Sequence, residues 1–467
     1  MPSGANNIID HEVVGYYRCP EIYGACTVDP SAHPDIRNLS GISRRSEQHP
    51  SHHITSLAER PTEGAPRPGT STSTSLPISS SELVRHLRSE KYVSNHSANR
   101  WRATRDALQR HAYYAVRPLL GVSVRKHLQR RALRGWDQIP FPRWPVDRTV
   151  DSLLEQFLVL SMQAHGVDRI PFIWFWPDGH QSCCIVTHDV EEAAGVNACE
   201  GVMDLDSRVG INASFQFVPE GRYQVSGQVL DRVRSRGFEV NVHDLNHDGK
   251  LYNNREEFLR RAEKINRYVR EYDATGFRSA VLYRNVSWYD AFRFSYDMSV
   301  PNVAHLDPQR GGCCTITPYF IGDIVELPLT TIQDYSLFHI LNDYSLDVWK
   351  TQADFITQNH GLLSFNVHPD YLATAPARST YTALLDHLAS LRAEGRTYFS
   401  RPDEVDRWWR ARGQMSLVYN RTQWRIEGPG SERAVVAYAH LDNNRLSYSL
   451  QPSAKTAGPQ PTRAICR

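Results

Sequence analysis

The sequence predicts an α/β protein with a (β/α) barrel at its centre, a basic helical region before it and a small antiparallel β appendage after it. Three observations carry this. From about residue 170, short apolar runs alternate with amphipathic segments of helical spacing. The ends of those runs carry polar and ionisable residues, as barrel strands do at their C-terminal mouth. After Gly413 the texture changes to apolar–polar alternation broken by the turn signals "GPG" and "DNN".

Residues 1–81 show little periodicity and close on the Ser/Thr/Pro-rich "RPGTSTSTSLPISSSE", which predicts a mostly disordered segment. Within it, "DHEVVGYYRCPEIYG" is apolar enough to dock onto a later domain. Residues 82–165 read as the basic helical region. Thirteen Lys or Arg face three acids over 82–135, with Leu, Val, Tyr and Trp at helical spacing and an interruption at Pro118. Such a surface suits an anionic membrane, and equally a solvated helical face packed on the next domain. The barrel is placed at 166–413. Its apolar runs include "IPFIWFWP", "SCCIVTHDV", "FEVNVH", "FSYDMS", "VELPLT" and "LLSFNVH", interleaved with helices such as "NREEFLRRAEKINRYVREY" and "TYTALLDHLASLRAEG". Residues 414–467 form the β appendage and a tail.

Composition sets bounds. A chain of 467 residues, 40 % apolar and 10 % aromatic, can bury a sizeable core, and a net charge of +2 points to no charged partner for the whole chain. Nucleic acid is not an expected partner. No run of 18 apolar residues exists to make a spanning helix, and the N-terminus lacks a basic segment followed by an apolar stretch. The eight cysteines are therefore read as reduced thiols and the compartment as the cytoplasm, with contact at the inner membrane face through residues 82–135.

The chemistry is concentrated at strand ends. "CCIVTHDVEE" ends on Asp189 and Glu191, "FEVNVHDLNH" on His243 and His247, "ATGFRSA" on Arg278, "FSYDMS" on Asp297, and "LLSFNVHPDY" on His368 and Asp370. Two histidines and a carboxylate can hold a divalent metal and leave positions open. A spacing of four brings both imidazoles to one side if the backbone turns helically there. A second carboxylate can accept a water proton, a distant histidine can protonate a leaving group, and an arginine can keep the base ionised. These are the parts of a metal-assisted hydrolase acting on an amide or ester. In "RGGCCTITPYFIGDIVELPLTTIQDY", Tyr319, Phe320 and Tyr335 could stack on a sugar ring, or pack in the core.

These motifs, over residues 170–410, resemble the polysaccharide deacetylases, the NodB-homology domain of carbohydrate esterase family four. "THDVE" is similar to that family's Thr-Phe-Asp-Asp motif, "HDLNH" to its His-x-x-x-His, "GFRSA" to its Arg motif, "YDMS" loosely to its Asp motif, and "FNVH" to Leu-x-x-His. The resemblance implies a distorted barrel with one divalent metal, zinc by preference, with cobalt, nickel or manganese as substitutes. It also implies removal of N-acetyl groups from amino sugars. Carried over by position, His243 and His247 are ligands, His368 is the general acid and Arg278 tethers the catalytic Asp189. The usual second Asp falls on Val190, which cannot ligate. Glu191 then takes the third ligand place, because a regular strand sends residues 189 and 191 to one face; the reverse assignment, Asp189 as ligand, stays open. Asp297 or Asp370 would orient His368. Two other readings stand beside a deacetylase: a silent carbohydrate-binding scaffold, and a metal amidase acting on a non-sugar C–N bond.

Overall fold

The structure, a computed structural model, describes residues 11–24, 80–93, 127 and 130–451. Most of the predicted basic run, 94–126, and the tail after 451 lie outside the described residues.

The apolar run 182–190 makes the central strand. β2 (Ser182–Val190) is buried at every position, as a parallel strand covered on both faces must be. β3 (Ser214–Phe217), β4 (Glu239–His243), β5 (Gly276–Arg278), β6 (Tyr296–Asp297) and β8 (Ile324–Glu326) follow it outward in parallel, and β7 (Tyr319–Ile321) closes that edge antiparallel to β8. β9 (Leu362–Asn366) and β10 (Thr397–Phe399) also pair with β2 in parallel. Beyond β9 the described residues form no further ladder. Thr330 and Thr331 instead donate their hydroxyls to the Leu362 and Ser364 carbonyls, at 2.6 and 2.8 Å. The sheet thus curls into a barrel that is incomplete on this side.

Helices cover the sheet. α4 (Ala193–Arg208), α5 (Gly227–Ser235), α6 (Arg255–Glu271), α7 (Asp347–Gln358) and α8 (Ala375–Ala393) are the crossovers. In α6 the buried positions Phe258, Ala262, Ile265 and Val269 form one stripe, and Asn254 caps the first turn by accepting from the Glu257 N–H at 2.9 Å. β5 approaches β6 closely at Gly276, where a Cβ would stand 2.3 Å from Cζ of Tyr296. Only glycine fits there.

The run "IPFIWFWP" does not supply a barrel strand. β1 (Arg169–Ile173) pairs antiparallel with β13 (Val436–Asp442), which continues to β14 (Arg445–Leu450). The C-terminal hairpin is therefore tied to the start of the barrel region, while β11 (Ser416–Tyr419) and β12 (Trp424–Glu427) pair only with each other. Under this sheet lies a second core, completed by α1 (His11–Tyr17), α2 (Ser80–Arg88) and α3 (Thr149–His165). "DHEVVGYYRCPEIYG" docks here: Tyr17 is fully buried against Phe172, Phe175 and Tyr448, and Arg412 of α9 (Pro402–Gln414) donates to the Tyr16 carbonyl at 2.8 Å. The described cysteines are free and buried, and no described helix is long and apolar enough to cross a membrane.

Candidate active site

The C-terminal ends of β2, β4, β5 and β9 meet at one mouth. His243 ends β4 and donates Nδ1–H to the Arg278 carbonyl, 3.0 Å away. A carbonyl can only accept, so the hydrogen sits on Nδ1 and the Nε2 lone pair is free to ligate. The backbone then turns, but not helically: Asp244 and His247 both take the left-handed conformation, φ 54°. That pair of non-glycine left-handed residues, an unusual expense of backbone energy, brings the two imidazoles to 4.8 Å between centroids. Arg222, from the loop after β3, donates to the His247 carbonyl at 3.0 Å and pairs with Glu192.

Glu191 completes the group. One ligand atom from each of Glu191, His243 and His247 lies within 4.8 Å of the others. Nε2 of both histidines is buried and faces Glu191 Oε1, 3.8 Å from His243 and 2.9 Å from His247, so the two nitrogens and the carboxylate oxygen converge on one point. The donor set, two imidazole nitrogens and a carboxylate converging within 4.8 Å, fits a zinc-like divalent ion.

Asp189 points into the same space, one strand period before Glu191. Its Oδ1 accepts from Arg278 at 3.0 Å and its Oδ2 from Asn366 at 2.8 Å. Arg278 is wholly buried and also donates to Thr187 Oγ1 and the Met298 carbonyl. Burial opposes ionisation of Asp189, but the Arg278 guanidinium, His243 and His368 outweigh it and hold the carboxyl down at about 2. For Glu191 burial is likewise outweighed, here by His247 and its neighbours, and the carboxyl lies well below its usual range.

Across the mouth, His368 Nε2 lies 3.3 Å from Glu191 Oε1. Its Nδ1 donates to Asp334 Oδ1 and its backbone N–H to Asp334 Oδ2, both at 2.7 Å. Burial disfavours the imidazolium, yet Asp334 and Glu191 overcome this and raise the pKa well above the ordinary histidine value. Tyr371 stacks on the ring, 4.6 Å between centroids.

Asp334, not Asp297 or Asp370, is therefore the acid that orients His368. Asp297 accepts from the Tyr289 and Ser299 hydroxyls at 2.8 and 2.6 Å and shares a buried acidic pair with Glu326. Asp370 leaves Oδ1 without a partner and does not reach the imidazole nitrogens, which face Asp334 and Glu191. Of the three aromatics, Tyr335 borders the mouth, starting the π-helix Tyr335–Leu341 and lying 6.0 Å from Tyr371. Tyr319 is 3 % exposed, in a small core with Val300 and Cys313 under Arg88. Phe320 is 47 % exposed on the edge strand β7 beneath Arg410. Neither belongs to the site, because strand alternation at a sheet edge sends one inward and the other to solvent. Asn366, Tyr371, Arg222 and Asp334 were not singled out in the sequence. Asp334 had a signal: it ends the apolar stretch "VELPLTTIQD" as the other site residues end theirs.

No family model and no curated protein matches the chain. Among solved structures, a polysaccharide deacetylase from Mycobacterium smegmatis is similar over 53 % of this chain and 96 % of its own, at 14 % identity and TM-score 0.40. Puue allantoinase is similar over 50 % and 92 %, at 11 % identity and TM-score 0.40. The peptidoglycan deacetylase PdaC from Bacillus subtilis is similar over 50 % and 93 %, at 13 % identity and TM-score 0.32. Likenesses this distant carry no functional weight.

Proposed function

We propose that this protein is a metal-dependent hydrolase that removes N-acetyl groups from an amino-sugar-containing glycan or glycan precursor. The observation that carries the proposal is one mouth holding three elements: the Glu191–His243–His247 group, an Arg-held Asp189, and an Asp-held His368. A divalent ion held by Glu191, His243 and His247 would supply a Lewis acid for the amide carbonyl.

The chain's own residues do the rest. Asp189, kept ionised by Arg278 and aimed by Asn366, accepts a proton from the attacking water. Arg278 makes Asp189 a weak base but guarantees its charge and its direction, so positioning is the larger part of its contribution. His368, protonated and held through Nδ1 by Asp334, gives its Nε2 proton to the departing nitrogen as the C–N bond breaks. Acetate and a free amino sugar are the products. Tyr371 and Tyr335 wall the His368 side of the mouth and limit water there.

The cytoplasmic setting and an anionic-membrane contact through residues 82–135 belong to the same proposal. Salt-sensitive sedimentation with anionic liposomes supports the contact, and its absence removes it.

The test is metal content together with acetate release from N-acetylated chito-oligosaccharides. About one ion per chain, with acetate release lost in His243→Ala and His368→Ala, supports the reading. A loaded site that releases nothing from N-acetylated sugars but cleaves small amides moves the activity to a non-sugar C–N bond. No metal after reconstitution leaves a carbohydrate-binding platform.

A further inference from the structure

His188 lies between Thr187 and Asp189 in β2, yet the site does not use it. Alternation along the strand turns it to the face opposite Asp189, where it is completely buried beneath α4 and α8. Its Nε2 is 2.9 Å from Asp206 Oδ2 of α4, and the other Asp206 oxygen accepts from the Tyr381 hydroxyl of α8. Its Nδ1 is 2.8 Å from the Val367 carbonyl, so that nitrogen carries a hydrogen.

The Val367 carbonyl belongs to the peptide group whose nitrogen is that of His368. The same group is held at its other end, where the His368 N–H donates to Asp334 Oδ2 at 2.7 Å. One peptide plane is thus gripped twice, by His188 from the helix side of the sheet and by Asp334 from the mouth. Rotation of this plane would swing the His368 imidazole off Asp334 Oδ1. We propose that His188, braced by Asp206 and Tyr381, is a positioning residue that fixes the peptide plane before His368 and through it the direction of the catalytic imidazole. The functional half of this statement rests on His368 being the general acid; the mechanical half does not. The motif that "THDVE" resembles carries phenylalanine here, so the brace belongs to this chain and not to the motif.

The plain alternative is that the His188–Asp206 pair only fastens α4 to the sheet. Two variants separate the two roles. In His188→Asn the side-chain amide nitrogen stands where Nδ1 stands, keeping a donor for Val367 while depriving Asp206 of its partner. In His188→Gln the amide reaches Asp206 as Nε2 does, and Val367 is released.

The experiment is hydrogen–deuterium exchange of the His368 amide in the full chain, with the rate of diethyl pyrocarbonate modification of His368 and the melting temperature alongside. Positioning predicts exchange and modification close to wild type in His188→Asn. In His188→Gln both become faster by about tenfold, the weight of one lost hydrogen bond. The melting temperatures run the other way, with His188→Asn the less stable. Exchange that instead follows melting temperature, faster in His188→Asn than in His188→Gln, overturns the proposal. If either variant does not fold, Asp206→Asn provides the second comparison: it keeps His188 in place with a neutral partner, so exchange at His368 should stay close to wild type, and exchange that rises along with the loss of stability would overturn the brace. None of these readouts needs a substrate, so they stand or fall apart from the deacetylase reading. Where turnover is measured, His188→Gln lowers kcat and leaves KM unchanged.

Discussion

Asp334 holds His368 at two points, one carboxylate oxygen on Nδ1 and the other on the backbone N–H, each at 2.7 Å. A carboxylate bound this way cannot turn without releasing both contacts, so ring and backbone are fixed together. Asp334→Asn removes the charge and leaves an amide that serves only one contact well. Turnover is expected to fall by about 10²-fold or more with KM little changed. Steady-state kinetics on an N-acetylated oligosaccharide checks this, and a kcat near wild type would remove Asp334 from the mechanism.

Arg278 is buried with Asp189 and gives it one of its two hydrogen-bonded partners. Arg278→Met strands a buried carboxylate, a change that costs about 3–5 kcal/mol. Urea unfolding reads the loss, and Arg278→Lys should recover part of it. Equal stability of Arg278→Met and wild type would mean that the pair is not formed in solution.

The Glu191–His243–His247 group predicts ligand-linked stability. Zinc at about 100 times its dissociation constant should stabilise the wild type by about 2.7 kcal/mol. Glu191→Ala, His243→Ala and His247→Ala should show no such shift. A thermal shift that persists in all three variants would place the ion elsewhere.

Asp307, which accepts from Gln333 beside Asp334 at 2.8 Å, supplies a pH test of stability. Burial pushes its carboxyl up to about 6 against the pull of Arg284, Gln333 and Arg310. The folded state therefore keeps this proton to higher pH than the unfolded chain does. Its contribution to stability is intact below the unfolded value near 4 and is lost as pH rises to about 6, by roughly 3 kcal/mol at most. Asp307→Asn does not titrate, so its stability relative to wild type should climb across that window and then level off. Parallel profiles for the two proteins would show that the shift is absent.

The strand-end residues were legible because a parallel strand leaves two marks in sequence: a continuous apolar run, and polar groups where it stops. Asp189, Glu191, His243, His247, Arg278 and His368 all carry both marks. Asn366 carried them too, but two positions before His368 it read as part of the strand. Asp334 also ends an apolar stretch, but the stretch is irregular and the π-helix after it has no familiar period, so the mark was faint. Tyr319 and Phe320 misled for a related reason: aromatic content names a face only when the edge and direction of the strand are known. "IPFIWFWP" was apolar enough for a barrel strand, and nothing local says that its partner lies 267 residues onward, as the pairing Pro171↔Tyr438 joins positions 171 and 438. The helical turn inferred for His243 and His247 failed at Asp244, whose left-handed backbone leaves no periodic trace.

Among the described residues, α1 is held by tertiary contacts, with Tyr17 enclosed by Phe172, Phe175 and Tyr448 and Tyr16 tied to Arg412. In that respect residues 11–24 act as a tethered ligand, and the second core is their receptor. A proteolytic nick anywhere in 25–79 should leave both fragments associated. A chain shortened past residue 24 should expose an empty aromatic socket, prone to self-association, that a synthetic 11–24 peptide added in trans would fill.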